Sequence, residues 1–351
     1  MPNLPLLLTT DDSLLDELLR VSSAAGTDLF ASDTGPGVAA RWASAPVILI
    51  GHDAVARVAA LGLPRRSDVI VVAPAPGGDD SALWRSAVAV GAEHVAFLPE
   101  GERWLADRLA DACDAPATPA TVVAVMSGRG GAGASTYAML LARAYAGESL
   151  LIDLDPLSGG LDLRSELDAV AGLRWPDLAA VSGRLSSAAL RGALPREGRM
   201  AVVSAMAHDP APVPVEAFAS VLDAAIRGGG LTILDTPRDL SAVVRHAWAR
   251  SDLAVVLAPD DHASLPATRA LVDAVTTSGT RVVAVLRRGR DQGVHRDEIE
   301  GFLGVAVIAE WRHDRALARG DASAWGRTRT WRSVTDPVLD LVASSSARRV
   351  A

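Results

Sequence analysis

Short apolar runs alternate with amphipathic stretches through the first 110 residues. Runs rich in Leu, Ile and Val predict five strands, at residues 4–9, 28–32, 46–50, 68–73 and 94–98. Stretches with helical spacing predict helices at residues 13–26, 38–44, 81–92 and 100–113. Continuous apolar strands separated by helices are typical of a parallel sheet that is covered on both faces. The pattern therefore predicts an α/β domain over residues 1–110.

A second α/β series begins at residue 121. The segment before it, residues 111–120, lacks periodicity and is rich in Ala, Thr and Pro, which predicts a linker. Apolar runs that begin at residues 122, 149, 200, 230, 252, 281 and 305 predict further strands. A final helix is predicted over residues 333–345, followed by a tail at 346–351. We expect a second domain over residues 121–345, built on a mostly parallel sheet.

Composition narrows the class of protein. A hydrophobic content of 49% with 22% charged residues is typical of globular domains and excludes a disordered chain. The net charge of −8 argues against a nucleic-acid binder. The single cysteine, Cys113, fits a reducing compartment, and the N-terminus lacks the basic region of a signal peptide. We therefore expect a cytoplasmic protein with at most peripheral membrane contact, since no apolar run reaches the length of a membrane span.

A glycine-rich loop lies between the strand that begins at residue 122 and a helix that begins near Tyr137. In this context, glycines let successive N–H groups converge on an anion, and the helix N-terminus adds partial positive charge. The sequence therefore predicts a phosphate cradle. The candidate cofactor-binding residues are Gly128, Arg129, Gly130, Gly131, Ala132, Gly133, Ala134, Ser135 and Thr136.

The spacing of this loop resembles the deviant Walker A motif of the MinD/ParA ATPases, Lys-Gly-Gly-x-Gly-Lys-[Ser/Thr]. Arg129 stands at the position of the first Lys, and Ala134 replaces the second. Two further segments follow in the order of that family. Asp155 in Asp-Leu-Asp-Pro matches the switch I aspartate, and Asp235 in Asp-Thr-Pro matches the Walker B aspartate.

The whole chain resembles the CpaE-like branch of these ATPases. That branch includes CpaE of Tad/Flp pilus and secretion systems and the actinobacterial septum-site-determining (Ssd-type) proteins. The loop at residues 259–265, Pro-Asp-Asp followed by Ser-Leu, is similar to the one that lines the dimer face in this branch. The five-stranded first domain resembles a flavodoxin-like response-regulator receiver of the CheY type.

The resemblance implies ATP and Mg²⁺ as cofactors and a homodimer that sandwiches two nucleotides. By this resemblance Asp155 is catalytic because it positions the attacking water. Ser135, Asp155 and Asp235 would bind Mg²⁺, partly through water, and Arg129 would reach the partner's phosphate. The implied partners are proteins of a pilus, secretion or division machine, with membrane recruitment through those partners.

The sequence departs from the working pattern at three positions, Arg129, Ala134 and Leu286. Every one of the 34 basic residues is Arg, so Ala134 leaves the phosphate site without its lysine. Losing such a charge-assisted bond costs roughly 1.5–3 kcal/mol, and losing one preorganised donor slows catalysis about a hundred- to a thousandfold. Leu286 stands where the family has an Asn that reads adenine. Two main hypotheses follow. The protein is either a switch that binds ATP weakly and hydrolyses little, or a pseudo-ATPase adaptor that binds no nucleotide. A ParA-like DNA binder is a further alternative.

The first domain lacks most receiver chemistry. Gly51 stands at the phospho-acceptor position, followed by His52 and Asp53, and Leu98 replaces the receiver lysine. Asp11 follows the first strand and is interpreted as a helix N-cap rather than a metal ligand. We predict a degenerate receiver that serves docking or localisation.

Overall fold

The computed structural model describes residues 4–33, 38–75, 81–114, 119–180, 185–205, 210–289, 293–312 and 329–350. The chain forms two compact units, Met1–Ala115 and Pro116–Ala351, called here the first and second unit. None of the helices in these described ranges is both long and apolar enough to span a membrane.

The first unit is an α/β domain with five parallel strands in the order β2-β1-β3-β4-β5. This is the flavodoxin-like order, and the predicted CheY-like fold is confirmed. Its elements are β1 (Leu6–Leu8), α1 (Asp12–Ala24), β2 (Phe30–Ser32), α2 (Val38–Ser44), β3 (Ile48–Gly51), α3 (Val55–Ala60), β4 (Val69–Pro74), α4 (Ser81–Val90), β5 (His94–Leu98) and α5 (Glu102–Asp114). The sequence pattern missed α3, because six residues are too short to display helical periodicity.

Alternate residues of the central strands face opposite sides of this sheet. Leu6 and Leu8 pack with α2 and α3, whereas Leu7 packs with α1 and α5. Each of these three leucines is fully buried. Burial on both faces explains why the strands are continuously apolar.

The second unit contains an eight-stranded sheet in the order β13-β12-β11-β6-β10-β7-β9-β8. Among the described strands of this sheet only β8 is antiparallel, so the predicted mostly parallel sheet is confirmed. Its strands are β6 (Thr121–Ser127), β7 (Ser149–Asp153), β8 (Arg196–Glu197), β9 (Met200–Val203), β10 (Leu231–Asp235), β11 (Leu253–Pro259), β12 (Val282–Arg287) and β13 (Val307–Trp311). Its helices are α6 (Ala134–Ala144), α7 (Leu161–Arg164), α8 (Trp175–Ala180), α9 (Ser187–Ala193), α10 (Val215–Arg227), α11 (Ala242–Ala249), α12 (Leu265–Thr277), α13 (Arg296–Leu303) and α14 (Arg329–Val350).

The central strands of the second unit position the candidate site. Strand β6 lies between β10 and β11, and its chain continues into α6 on one face of the sheet. Two apolar clusters cover the two faces, one including Phe218 and Trp248 and the other Tyr137 and Trp311. The carboxyl ends of β6, β7 and β10 therefore meet at one edge, where ligands bind in open α/β sheets.

Helix α5 ends at Asp114, one residue beyond the predicted helix over 100–113, and it overlaps the first four residues of the predicted linker. Helix α14 differs more from the prediction, because it begins at Arg329 and continues to Val350, through most of the predicted tail. The polar composition of this tail suggested irregular structure, but Ala and Arg are strong helix formers and extend an existing helix readily. Residues 313–328, between the strand predicted from residue 305 and the final predicted helix, lie outside the described residues.

Candidate functional site

The glycine-rich loop connects the end of β6 to the first turn of α6. Gly131 and Gly133 adopt left-handed conformations, with φ of 75° and 96°. A side chain at either position would strain the backbone. Ala134, Ser135 and Thr136 form the first turn, whose N–H groups have no acceptor within the helix. The loop thus presents free donors and a helix N-terminus at the edge of the sheet, which is a binding arrangement for phosphate.

Close packing fixes the loop against two other elements. A Cβ at Gly128 would overlap the side chain of Thr268 on α12. A Cβ at Gly133 would lie 3.2 Å from the ring of Trp311. The indole of Trp311 is 3% exposed and contacts Tyr137 of α6, with ring centroids 5.8 Å apart. Glycine at positions 128 and 133 therefore allows the backbone to approach its neighbours.

Two buried carboxylates lie side by side at the ends of adjacent strands. Asp153 of β7 and Asp235 of β10 are register partners. Asp153 is fully buried and accepts hydrogen bonds from the Ser158 hydroxyl (2.7 Å) and from the backbone N–H groups of Asp155 (3.1 Å) and Leu161 (3.2 Å). Burial outweighs these bonds and raises the pKa of Asp153 to about 6. Asp153 is therefore a satisfied carboxylate that keeps a high proton affinity.

Asp235 differs because part of its carboxylate is unsatisfied. Its side chain is 2% exposed, and the nearby Ser135 hydroxyl offsets part of the rise in its pKa. Its Oδ2 is buried and has no hydrogen-bond partner in the described part of the chain. Burial first, and then the charge of Asp153, raise the pKa of Asp235 to about 7.

An unpaired, buried carboxylate oxygen beside a hydroxyl and a phosphate cradle calls for a cation. Carboxylate and hydroxyl oxygens, together with phosphate oxygens of a nucleotide, are the ligands that Mg²⁺ prefers. The residues present therefore fit a magnesium ion, and Ser135 and Asp235 are the side chains that could hold it.

The segment after β7 carries Asp155. Asp155 is half-buried, and its Oδ1 accepts a hydrogen bond from the Leu157 N–H (2.9 Å), which closes a short turn. Its charge contributes to the raised pKa of Asp235, so the carboxylates of Asp153, Asp155 and Asp235 gather at one edge. Asp155 remains a candidate catalytic residue by its position.

Sequence reasoning left two residues of this region out of the site. One is Asp153, for which the Asp-x-Asp spacing was an available signal. The other is Trp175, whose indole N–H donates to the Asp153 carbonyl at 2.6 Å. A buried ion pair, Arg174 Nε to Asp162 Oδ2 at 3.0 Å, precedes this tryptophan and anchors the same segment. No local sequence pattern indicates that Trp175 returns to β7.

The cations around the loop are arginines. Arg129 forms an ion pair with Asp261, Nη1 to Oδ2 at 3.1 Å, beyond the end of β11. Ala134 is half-buried and packs on the apolar cluster beneath α6. Arg238 donates from Nη1 to the Gly128 carbonyl at 2.8 Å. The first turn of α6 therefore carries no cation in place of the lysine that Ala134 replaces.

The position expected to read adenine is apolar. Leu286 is fully buried in the cluster formed by α12, α13 and β12, so its side chain reads no base. The next residue, Arg287, places its guanidinium 4.2 Å from the ring centroid of Trp311 and donates to the Trp311 carbonyl. The end of β12 therefore presents the Arg287 guanidinium, stacked on the Trp311 ring, where an Asn side chain was expected.

In the first unit, the side chains of Asp53 and Thr9 fill the space beside Gly51, which stands at the phospho-acceptor position of a receiver. A Cβ at Gly51 would overlap Oδ1 of Asp53 and would lie 2.7 Å from the Thr9 hydroxyl. Asp53 accepts bonds from the Thr9 hydroxyl (2.8 Å), the Thr10 N–H (2.7 Å) and the Thr10 hydroxyl (2.8 Å). The predicted N-cap role of Asp11 is confirmed, since its side chain accepts from two N–H groups at the start of α1.

Comparisons with known proteins agree with this architecture. The family described as "Rv3660c-like, CheY-like N-terminal domain" matches residues 8–120. Rv3660c and MT3760, from two strains of Mycobacterium tuberculosis, are each 36% identical to the chain over 317 residues. The similarity covers 89% of this chain and 89% of each relative. It therefore extends through both units.

Solved structures match the fold of the second unit. A ParA family ATPase from Chlorobium tepidum TLS aligns with a TM-score of 0.52 and 18% identity, covering 64% of this chain and 99% of that chain. A chain of the MinC:MinD cell division protein complex from Aquifex aeolicus aligns with a TM-score of 0.51 and 16% identity, covering 64% and 96%. The septum site-determining protein MinD from Pyrococcus horikoshii OT3, complexed with Mg-ADP, aligns at 0.50 and 14% identity, covering 65% and 98%. At these identities the matches establish the fold alone.

Sequence similarity over nearly the whole chain and structural similarity of the second unit lead to one assignment. The chain belongs to the Rv3660c-like family, with a CheY-like domain followed by a domain of the MinD/ParA fold.

Proposed function

We propose that the second unit is a nucleotide switch that binds Mg-ATP weakly and hydrolyses it slowly or not at all. The observation that carries the proposal is the Oδ2 of Asp235, which is buried with no hydrogen-bond partner among the described residues and lies near Ser135 of the glycine loop. An orphaned buried oxygen costs free energy, and a bound cation would satisfy it. A protein with no ligand at this edge has no physical need of that arrangement.

Each residue of the site has a defined part in this proposal. The N–H groups of Gly130 to Thr136 bind the phosphates, and Ser135 and Asp235 hold Mg²⁺. A magnesium ion held by these residues would neutralise phosphate charge. Asp155 orients a water molecule. Because Ala134 supplies no cation, the barrier to hydrolysis stays high.

The proposal extends to a regulator or positioning factor for a pilus, secretion or division machine. The MinC:MinD complex is one structure with this fold, which supports a role through protein partners. Leu157 and Leu240, in the segments that follow β7 and β10, are 82% and 56% exposed. Exposed leucines beside the site support a nucleotide-dependent homodimer. We place the protein in the cytoplasm, recruited to the membrane through partners, and the net charge of −8 disfavours nucleic acid.

Isothermal calorimetry with Mg-ATP tests the proposal on the wild type and on Asp235→Ala and Arg129→Ala. Asp273→Ala is a matched control, because it removes an exposed carboxylate from α12 far along the chain from the loop. We expect saturable binding by the wild type and the control, weakened in both site variants. Sedimentation with and without ATP then tests dimer formation.

The second candidate is an adaptor that does not bind nucleotide. The absence of a cation at Ala134 and the buried Leu286 favour it. No heat at millimolar ATP, with the wild type fully folded, would establish the adaptor and exclude the switch.

A further inference from the structure

The phosphate site of the second unit needs a positive charge that its own loop does not supply. The chain has no lysine, and position 134 carries a methyl group. A phosphate chain held only by N–H groups and a metal lacks the charge-assisted bond that normally closes the site. An arginine from another element is the remaining source of that charge.

Arg129 is not available for this role within its own subunit. Its guanidinium pairs with Asp261, which also accepts bonds from the Ser264 hydroxyl and N–H. The Arg129 side chain is 62% exposed and is held at the loop after β11. It therefore lies beside the strand that flanks β6 on the side opposite the carboxylates.

Arg238 lies on the carboxylate side of β6. It follows Asp235 by three residues, and the intervening Thr236 is tied to β6 through its N–H to the Val125 carbonyl at 3.0 Å. From there, Nη1 of Arg238 donates to the Gly128 carbonyl at 2.8 Å. The guanidinium thus bridges the end of β10 and the start of the glycine loop.

The hydrogen bond to Gly128 uses one of the five donors of the guanidinium. Its other N–H groups make no further hydrogen bond with the described residues. A planar fork with spare donors matches the geometry of phosphate oxygens. The bond to Gly128 limits the freedom of the side chain, so less rotamer entropy is lost on binding.

We propose that Arg238 is the phosphate-binding cation that replaces the missing P-loop lysine. The inference rests on the proposed nucleotide switch and names a residue of the same site. Arg238 follows Asp235, which would hold the metal, by three residues, and from there its charge would add to that of the metal in neutralising the phosphates of the longer, more highly charged nucleotide. Arg238 should therefore distinguish ATP from ADP.

The test compares the affinities of Mg-ATP and Mg-ADP for the full-length wild type, Arg238→Ala, Arg238→Gln and Arg238→Lys. Arg245→Ala is the matched control, because Arg245 is also an exposed arginine that donates to a backbone carbonyl, that of Leu240. We expect Arg238→Ala and Arg238→Gln to weaken ATP binding about tenfold or more and ADP binding much less. Arg238→Lys should recover part of the loss, and Arg245→Ala should change neither affinity.

The possible failures are distinguishable. If the wild type binds neither nucleotide, the proposed switch fails, and this inference fails with it. If the wild type binds ATP and the Arg238 variants bind it equally well or more tightly, the switch stands and Arg238 is not a phosphate ligand. Gln can still donate to the Gly128 carbonyl, so Arg238→Gln keeps the test valid should Arg238→Ala unfold.

Discussion

Both units carry carboxylates at the carboxyl edge of a parallel sheet, but the hydrogen bonding of these carboxylates and the direction of their pKa shifts differ. In each unit the acidic groups follow parallel strands at the carboxyl edge of the sheet. In the first unit, three donors from Thr9 and Thr10 satisfy Asp53, and its pKa lies below the usual range because these bonds outweigh burial. In the second unit, one oxygen of Asp235 is buried without a partner, and its pKa is raised.

The difference separates a site closed by its own side chains from one that is open to a ligand. Asp53 fills the space beside Gly51, where a receiver has its acceptor side chain, and we therefore predict that the first unit carries out no phosphotransfer. Among the described residues, Asp235 stays in a buried environment that disfavours its charged form. An unsatisfied buried polar group calls for a physical explanation, and a bound ion is one such explanation. The comparison therefore supports the ligand site that is proposed for the second unit.

The largest effect is expected from rebuilding the acceptor in the first unit. Gly51→Asp would force a side chain into the space held by Asp53 and Thr9. We expect the unfolding free energy of the first unit to fall by roughly 3 kcal/mol, measured by denaturant titration. Gly130→Ala is the control, since a Cβ there meets no atom within 4 Å. A stable Gly51→Asp protein that accepts phosphate from acetyl phosphate would contradict the closed-site interpretation.

An intermediate effect is expected from pH. The pKa of Asp153 is raised from 3.8 to about 6 and that of Asp235 from 3.8 to about 7. Between the unfolded value of 3.8 and these folded values, the folded state therefore binds more protons than the unfolded state. The stability that these protons provide is complete below about pH 4 and is lost as pH rises through 7. We expect these two groups to lower the unfolding free energy of the second unit by roughly 4 kcal/mol between pH 5 and 8. Calorimetry without nucleotide measures this change; stability that does not depend on these aspartates over that range would argue against it.

The smallest effect is expected from the ion pair that engages Arg129. Arg129 and Asp261 are 62% and 39% exposed, so Asp261→Asn should change the unfolding free energy by less than about 1 kcal/mol. The same variant frees the Arg129 guanidinium and should strengthen Mg-ATP binding severalfold. A loss of ATP affinity, measured by calorimetry, would show that Asp261 supports the site rather than competes for the arginine.

Much of the fold follows from the sequence because both sheets are buried on two faces. All five strands of the first unit coincide with predicted runs, since continuous apolar residues are a strong local signal. Short elements such as α3 and β8 lack enough residues to show a period. The ends of α14 were misplaced because its polar terminal sequence is compatible with both helix and loop.

The candidate site is only partly predictable for a different reason. The glycine loop and Asp235 belong to local motifs that can be recognised in a single chain. Trp311 beneath Gly133 and Arg238 beside Gly128 arise from contacts between segments more than a hundred residues apart. The unsatisfied state of Asp235 likewise depends on its burial by neighbouring strands. No spacing along the chain encodes these features.

The most direct measurement is the change in unfolding free energy caused by two isosteric substitutions, Asp53→Asn and Asp235→Asn, at pH 8 without nucleotide. Asp53→Asn places an amide against donors and should destabilise the first unit by roughly 1–2 kcal/mol. Asp235→Asn removes a buried charge next to Asp153 and should stabilise the second unit by a similar amount. Opposite signs would support a closed first site and an open second one. If both substitutions destabilise their units, Asp235 is satisfied by the protein itself, and the account of a retained ligand site is wrong.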